Sequence, residues 1–286
     1  QQVSDRFGVP ISTLASDDKG FGVIAYGKTG GCELSYGSDL DLVFVHHSGQ
    51  SDVTTGLANG EKSVAASQFY MKLAQRIMHI FNTRMNSGIL YELDMRLRPS
   101  GNSGVLVVHI DTFGQYQQQD AWTWEHQALV RARVIYGNHS LIQSFNNIRL
   151  QVLQQQRDLT QLQTEVSAMR EKMRNHLDKS AAQLLDIKQG QGGLVDIEFL
   201  AQYLVLAHCY QDENLAKCND NLGIFKQLVS VGILTADEQQ VLASSYQQLR
   251  DLSHKATLQN EALLIAHSAI DGKDKIIALW QKFLMT

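Results

Sequence analysis

At 286 residues the chain can form one large domain or two modest ones with real cores. Apolar residues at 44% and charged residues at 19% give an ordinary soluble globular balance, and no apolar run approaches the roughly 20 residues that span a bilayer. A net charge of −4 argues against a partner held mainly through its phosphate backbone, so neither a nucleic-acid nor a membrane partner is expected.

The opening, QQVSDRFG, has no methionine and no secretory leader, which suggests a piece of a longer protein. Apolar runs rich in β-branched and aromatic residues predict strands over 21–27 (FGVIAYG) and 40–46 (LDLVFVH). Apolar residues Phe69, Leu73, Ile77 and Ile80 fit a helix over 63–81. Strands are expected again over 89–97 (ILYELDMRL) and 104–108 (GVLVV). From about residue 111 the pattern turns helical, with helices expected over 122–135, 141–153, 160–177, 194–207, 222–231, 236–257 and 273–284. The coarse reading is α+β: a small domain over 1–135 and a helical bundle over 136–286. Cys32, Cys209 and Cys218 form no C-x-x-C pair and read as reduced thiols of a cytoplasmic protein.

Residues 22–29, GVIAYGKT, satisfy the P-loop pattern G-x-x-x-x-G-K-[ST]. A P-loop needs its four middle residues as loop, whereas Val23, Ile24, Ala25 and Tyr26 favour a strand interior. The match is expected to be accidental.

The informative stretch is 27–44, GKTGGCELSYGSDLDLVF. If Asp39 and Asp41 share a strand, their side chains project to one face, and Leu40 between them points into the core. Two adjacent carboxylates repel, and a divalent cation removes that cost. Magnesium prefers one or two carboxylates plus phosphate oxygens and water. Gly30 and Gly31 would let the backbone approach a triphosphate and offer its N–H groups, with Lys28 adding positive charge. Taken alone, Asp-x-Asp is more often a solvated strand end; the glycine turn beside it shifts the reading to a metal site. Asp94 has two readings. It is either a partner for Arg96, two residues on, or the third acid of a triad serving two metal ions.

These residues carry a resemblance. The stretch 27–44, SGILYELDMRLRPSG (87–101), WTWEHQALVRARVIYG (122–137) and GGLVDIEFLAQYLV (192–205) closely resemble the glutamine synthetase adenylyltransferase family. Thr29 stands where that family usually has leucine, which creates the false P-loop; Cys32 replaces a bulkier or charged residue. The resemblance implies a DNA polymerase β-like nucleotidyltransferase domain followed by an all-helical bundle. By motif position it implies Asp39, Asp41 and Asp94 as metal-binding and catalytic acids, with Gly30, Gly31 and Ser38 contacting the triphosphate. The implied reaction moves AMP from ATP to a tyrosine of glutamine synthetase, releases pyrophosphate and down-regulates nitrogen assimilation. Mg2+ is the implied cofactor and the PII signalling protein the implied regulator. The wording of the motifs resembles the C-terminal, adenylylating half of this multifunctional enzyme. The phosphorolytic adenylyl-removing half, a nucleotidyltransferase with another acceptor, and an inert docking module stay open as alternatives.

Four arginines qualify for a phosphate or acidic-substrate role, although for each a surface or salt-bridged arginine is the simpler reading. Arg96 and Arg98 would share the face of Asp94 on a strand, whereas Arg131 and Arg133 on one helix would point about 200° apart. In GGLVDIEF, Asp196 and Glu198 either act near the nucleotide or at a regulator, or stabilise a helix N-terminus; Lys188 before them is a candidate phosphate contact. His46 and His47 read as solvated strand-end residues, and Trp122 and Trp124 as core.

Overall fold

The computed structural model describes residues 1–14, 19–49, 51–56, 63–84, 86, 88, 91–269 and 272–285. In chain order the elements run α1 (Gln2–Phe7), β1 (Phe21–Ala25), α2 (Gly27–Gly30), β2 (Leu40–His46), α3 (Ala66–Asn82), β3 (Leu93–Asp94), β4 (Val107–His109), α4 (Ile110–Gln119), α5 (Thr123–Val130) and β5 (Arg133–Tyr136). There follow α6 (His139–Leu153), α7 (Leu159–Leu177), β6 (Leu184–Asp186), α8 (Leu194–His208), α9 (Asn221–Ser230), α10 (Ala236–Gln259), β7 (Leu264–Ala266) and α11 (Lys273–Leu284). The chain is α+β and divides into two compact units. One holds residues 1–33, 37–121 and 132–149; the other holds 34–36, 122–131 and 150–286.

The first unit is built on β2. Its apolar run pairs antiparallel with β1 along one edge, Phe21 opposite His46 and Ala25 opposite Leu42. Along its other edge it pairs parallel first with β3, through Leu40–Leu93 and Asp41–Asp94, and then with β4. β1 pairs in turn with β5, antiparallel. Strand alternation sends Leu42 and Phe44 to one face, where they pack with Phe69, Tyr70 and Ala74 of α3; half-buried Leu40 and Leu93 join the same cluster. The placement expected for Leu40 is thus observed. On the opposite face lie Gly22 and Val45, under Leu141 of α6.

The second unit centres on α8, whose sides are apolar nearly all round and buried, as a helix at the middle of a bundle must be. Around it α7, α9, α10 and α11 contribute Val166, Phe225, Leu242 and Trp280 to one core. α10 begins with a reciprocal cap: Glu238 N–H donates to Thr235 Oγ1 and Thr235 N–H donates to Glu238 Oε2.

Several expectations are corrected. The helix expected over 122–135 stops at Val130, and 133–136 is strand β5, because its backbone completes the sheet beside β1. The strand expected over 89–97 is strand only at Leu93–Asp94, and Arg96 and Arg98 lie in the turn that follows; residues 89 and 90 lie outside the described residues. The bundle is not wholly helical, since β6 and β7 form a small antiparallel pair. Trp122 is 70% exposed and Trp124 lies at the surface, not in the core, because they open α5 at its solvent side. Among the described residues no helix is long and apolar enough to cross a membrane.

Candidate active site

The accidental P-loop is resolved by β1: Val23, Ile24 and Ala25 are strand, and the glycine-rich segment after them is a single helical turn, α2. The antiparallel register carries this turn to the start of β2, where Tyr26 N–H donates to the Asp41 carbonyl at 2.9 Å. Gly27 lies directly against the Asp41 side chain. A Cβ built there would sit 2.5 Å from Asp41 Oδ2, and the residue has φ +51°. Only glycine combines that conformation with that approach.

The Gly30 and Gly31 amides, expected near a triphosphate, donate within this turn to the carbonyls of Tyr26 and Gly27. Arg133 reaches the same turn from β5, donating from Nε to the Gly30 carbonyl at 2.8 Å and from Nη2 to that of Thr29 at 3.3 Å. Lys28 Nζ donates to Ser38 Oγ at 3.5 Å, and Ser38 is buried. Lys28, Ser38 and Asp41 are therefore gathered around one turn. Replacing Gly27 by alanine forces the added methyl onto Asp41 and strains φ. We expect Gly27→Ala to lower any activity of this site at least about tenfold, since shifts of about 1 Å have such effects. A kinetic comparison with wild type, alongside a melting curve, checks this; wild-type turnover would mean that the contact with Asp41 is irrelevant.

Asp39 is exposed and lies one residue before β2, while Asp41 is half-buried within it. Asp94 sits opposite Asp41 in parallel register, so their side chains leave the same face. Asp94 is not a free third ligand here. Arg96 grips it through Nε, 3.0 Å from Oδ1 and 2.8 Å from Oδ2, and through Nη2 on Oδ2. This guanidinium holds the Asp94 carboxyl below its ordinary range, chiefly by hydrogen bonding. Asp94, Asp41 and Asp39 together raise the pKa of Arg96, in that order of effect among the charges.

Among the described residues no three His, Cys, Asp or Glu side chains are arranged to hold a metal ion by themselves. That does not argue against magnesium, which needs only one or two carboxylates when phosphate oxygens and water complete its shell. The donor set fits such an ion: hard carboxylate oxygens, a glycine that leaves room beside Asp41, and a guanidinium standing where positive charge is favoured.

The other arginines are engaged. Arg98 donates to the carbonyls of Met95, Asn102 and Gly104, knitting its own loop. Arg131, buried at the end of α5, pairs with Glu198 at 3.0 Å. In GGLVDIEF, Asp196 is 2% exposed and accepts from Arg170 Nε at 2.5 Å, Arg174 Nη2 at 2.9 Å and Gly192 N–H at 2.7 Å. It is an early-helix acid inside a buried ion-pair network; Lys188 is exposed nearby.

At the far end of β2, a cleft of about 710 Å³ is lined by His46, His47, Asp52, Ser67, His109 and Asp111. His46 is buried, not solvated as expected, because β2 carries it beneath Tyr70, with ring centroids 5.3 Å apart. Burial, then the neighbouring His109 and His47, push its pKa from 6.5 down to about 4. The unfolded imidazole takes up a proton as pH falls below 6.5, while the folded one resists until about 4. Stability present above pH 6.5 is therefore lost across that window. The loss reaches at most about 3 kcal/mol. His46→Asn should flatten the slope of urea stability between these limits; an unchanged slope would assign it to other groups.

Comparison with known proteins follows this geometry. The family model for glutamate-ammonia ligase adenylyltransferase matches residues 1–148, and that for GlnD PII-uridylyltransferase matches residues 148–262. A bifunctional glutamine synthetase adenylyltransferase/adenylyl-removing enzyme of Psychromonas ingrahamii is 49% identical over 285 residues. Proteins of the same description from Shewanella oneidensis and Shewanella loihica are each 48% identical. Each alignment takes in 99% of this chain but 30% of the relative, so the chain spans under a third of their length. The segment bearing Gly27, Asp39, Asp41 and Asp94 lies wholly within the first matched region, and the chain belongs to the glutamate-ammonia ligase adenylyltransferase family.

Proposed function

We propose that this chain is a magnesium-dependent nucleotidyltransferase domain that moves AMP from ATP to a tyrosine hydroxyl of glutamine synthetase. The observation that carries the reading is the parallel register of Asp41 with Asp94 beside a turn whose glycine abuts Asp41. Its sheet, with one central strand flanked by an antiparallel and two parallel neighbours, supports a polymerase β-like arrangement.

Asp39 and Asp41 would hold the metal, with Asp94 as the third acid. A bound magnesium supplies Lewis-acid neutralisation of phosphate charge. Lys28, beside Ser38, places a positive charge toward the triphosphate. A free tyrosine is only about 0.1% phenolate at neutral pH, so its proton must be taken as it attacks the α-phosphorus in line. While Arg96 holds the Asp94 carboxyl below its ordinary range, Asp94 is a poor acceptor. Glutamine synthetase as acceptor, PII as regulator, and a cytoplasmic setting belong to the same reading, with the adenylylating half preferred on its motif wording.

Incubation with ATP, magnesium and purified glutamine synthetase tests it by the mass of the target: a gain of one AMP per subunit supports it. No gain, with phosphate-dependent release of ADP from adenylylated target, would assign the removing half. The likeness of residues 148–262 to a PII-uridylyltransferase favours a second reading, transfer of UMP to a PII-type protein. Substituting UTP for ATP and PII for glutamine synthetase separates the two.

A further inference from the structure

The turn that carries Gly27 is poorly made to hold its own shape. α2 is four residues long, Gly27 and Gly30 are two of them, and Gly31 follows directly. Each glycine costs a helix about 1 kcal/mol relative to alanine, and a first turn fixes many dihedrals for few hydrogen bonds. It is closed by Gly30 N–H on the Tyr26 carbonyl at 2.8 Å and Gly31 N–H on that of Gly27 at 3.1 Å. The carbonyls at its C-terminal end, like those of any helix, need donors from elsewhere.

Arg133 supplies them. Strand β5 sets it opposite Ala25, the last residue of β1, just before the chain enters the turn. From there one planar guanidinium reaches two successive carbonyls, Nε that of Gly30 at 2.8 Å and Nη2 that of Thr29 at 3.3 Å. Gly30 is buried and Arg133 half-buried, so these bonds are sheltered, and loss of the fork strips a buried carbonyl of a donor. A lysine ammonium, a compact point charge, does not reproduce a two-pronged planar grip. The turn is thus tied at both ends: Tyr26 N–H to the Asp41 carbonyl where it begins, Arg133 where it finishes. Between the ties lie Gly27, against the Asp41 side chain, and Lys28, beside Ser38. We propose that Arg133 is a positioning residue of the nucleotidyl-transfer site: by clamping the end of the glycine turn to the sheet it fixes Gly27 and Lys28 relative to Asp41. The proposal rests on the reading of this site as a nucleotidyltransferase centre.

The test uses the full chain with Arg133→Ala and Arg133→Lys. Amide hydrogen exchange is followed residue by residue by nuclear magnetic resonance, and kcat and the nucleotide KM are measured in the reaction that wild type performs. In Arg133→Ala, exchange at Gly30 and Gly31 should quicken at least about tenfold while the β1 and β2 amides keep their protection. Its kcat should fall at least about tenfold with KM changed less than about threefold, since placement and not affinity is lost. Arg133→Lys should fall between wild type and Arg133→Ala in both readouts. A merely structural arginine would loosen the whole sheet. Should Arg133→Ala do so, Arg133→Lys decides, and the same uniform loosening there overturns the proposal. Gly30 and Gly31 amides already unprotected in wild type overturn it, as does a loosened turn with unchanged kcat. A raised KM at unchanged kcat would make Arg133 a phosphate contact and overturn it too. In each of these cases a wild type that transfers nucleotide leaves the functional reading intact; a wild type inert in every reaction named above removes that reading and the proposal with it.

Discussion

Asp41→Asn is expected to abolish nucleotidyl transfer while leaving the melting temperature unchanged or slightly higher, and Asp39→Asn to do the same. The asparagine amide matches the carboxylate in shape and cannot match its charge. Loss of one metal carboxylate removes about 4 kcal/mol of transition-state stabilisation, roughly a thousandfold in rate. The fold should survive because the backbone bond from Tyr26 N–H to the Asp41 carbonyl is untouched and a source of like-charge repulsion is gone. Asp94→Asn should keep some nucleotide binding and little turnover. Labelled-AMP transfer measured beside thermal melting decides; full turnover in both Asp39→Asn and Asp41→Asn would remove the pair from the chemistry.

The largest stability loss is expected at Asp196, in the second unit. Its carboxylate joins Arg170, which is fully buried, to Arg174 and to the Gly192 amide. Burial already depresses the Arg170 pKa against the pull of Asp196. Asp196→Ala leaves that guanidinium with the Gln189 carbonyl and side chain alone. Breaking one partner out of a buried pair destabilises by about 3–5 kcal/mol. Urea denaturation reads the change directly. Pairing Asp196→Leu with Arg170→Met should recover much of it, since an apolar pair needs no desolvation of charge. A loss under about 1 kcal/mol for Asp196→Ala would show that water reaches the arginine.

What the sequence made legible follows from how local each signal was. The run LDLVFVH predicts β2 to the residue, and 273–284 predicts α11 equally well, because each carries its own periodicity and boundaries. Strand β5 escaped because its Arg133–Tyr136 backbone is fixed by pairing with β1, more than 100 residues earlier. β6 and β7, three residues each, are too short to carry a period. At the site, the acid pair and Asp94 were readable as residue types. The contact between Gly27 and Asp41 needed the β1–β2 register, which places Tyr26 across from Asp41 and brings the first glycine of the turn, not the second pair, to the carboxylate. Asp196 showed its early-helix position but not its partners, since Arg170 and Arg174 lie on another helix.

The two parallel pairings along one edge of β2 have a consequence for how this protein tolerates change. Between Asp94 and Val107 the backbone departs from that edge and rejoins it at Phe44, three positions beyond the acid. The excursion is anchored at both ends, and its interior is stitched to itself by Arg98. Extra residues grafted at exposed Asn102 or Ser103 would swell a surface bow without sliding either anchor. That bow is where a reporter peptide or a recognition sequence can be engineered without disturbing the spacing of the carboxylates.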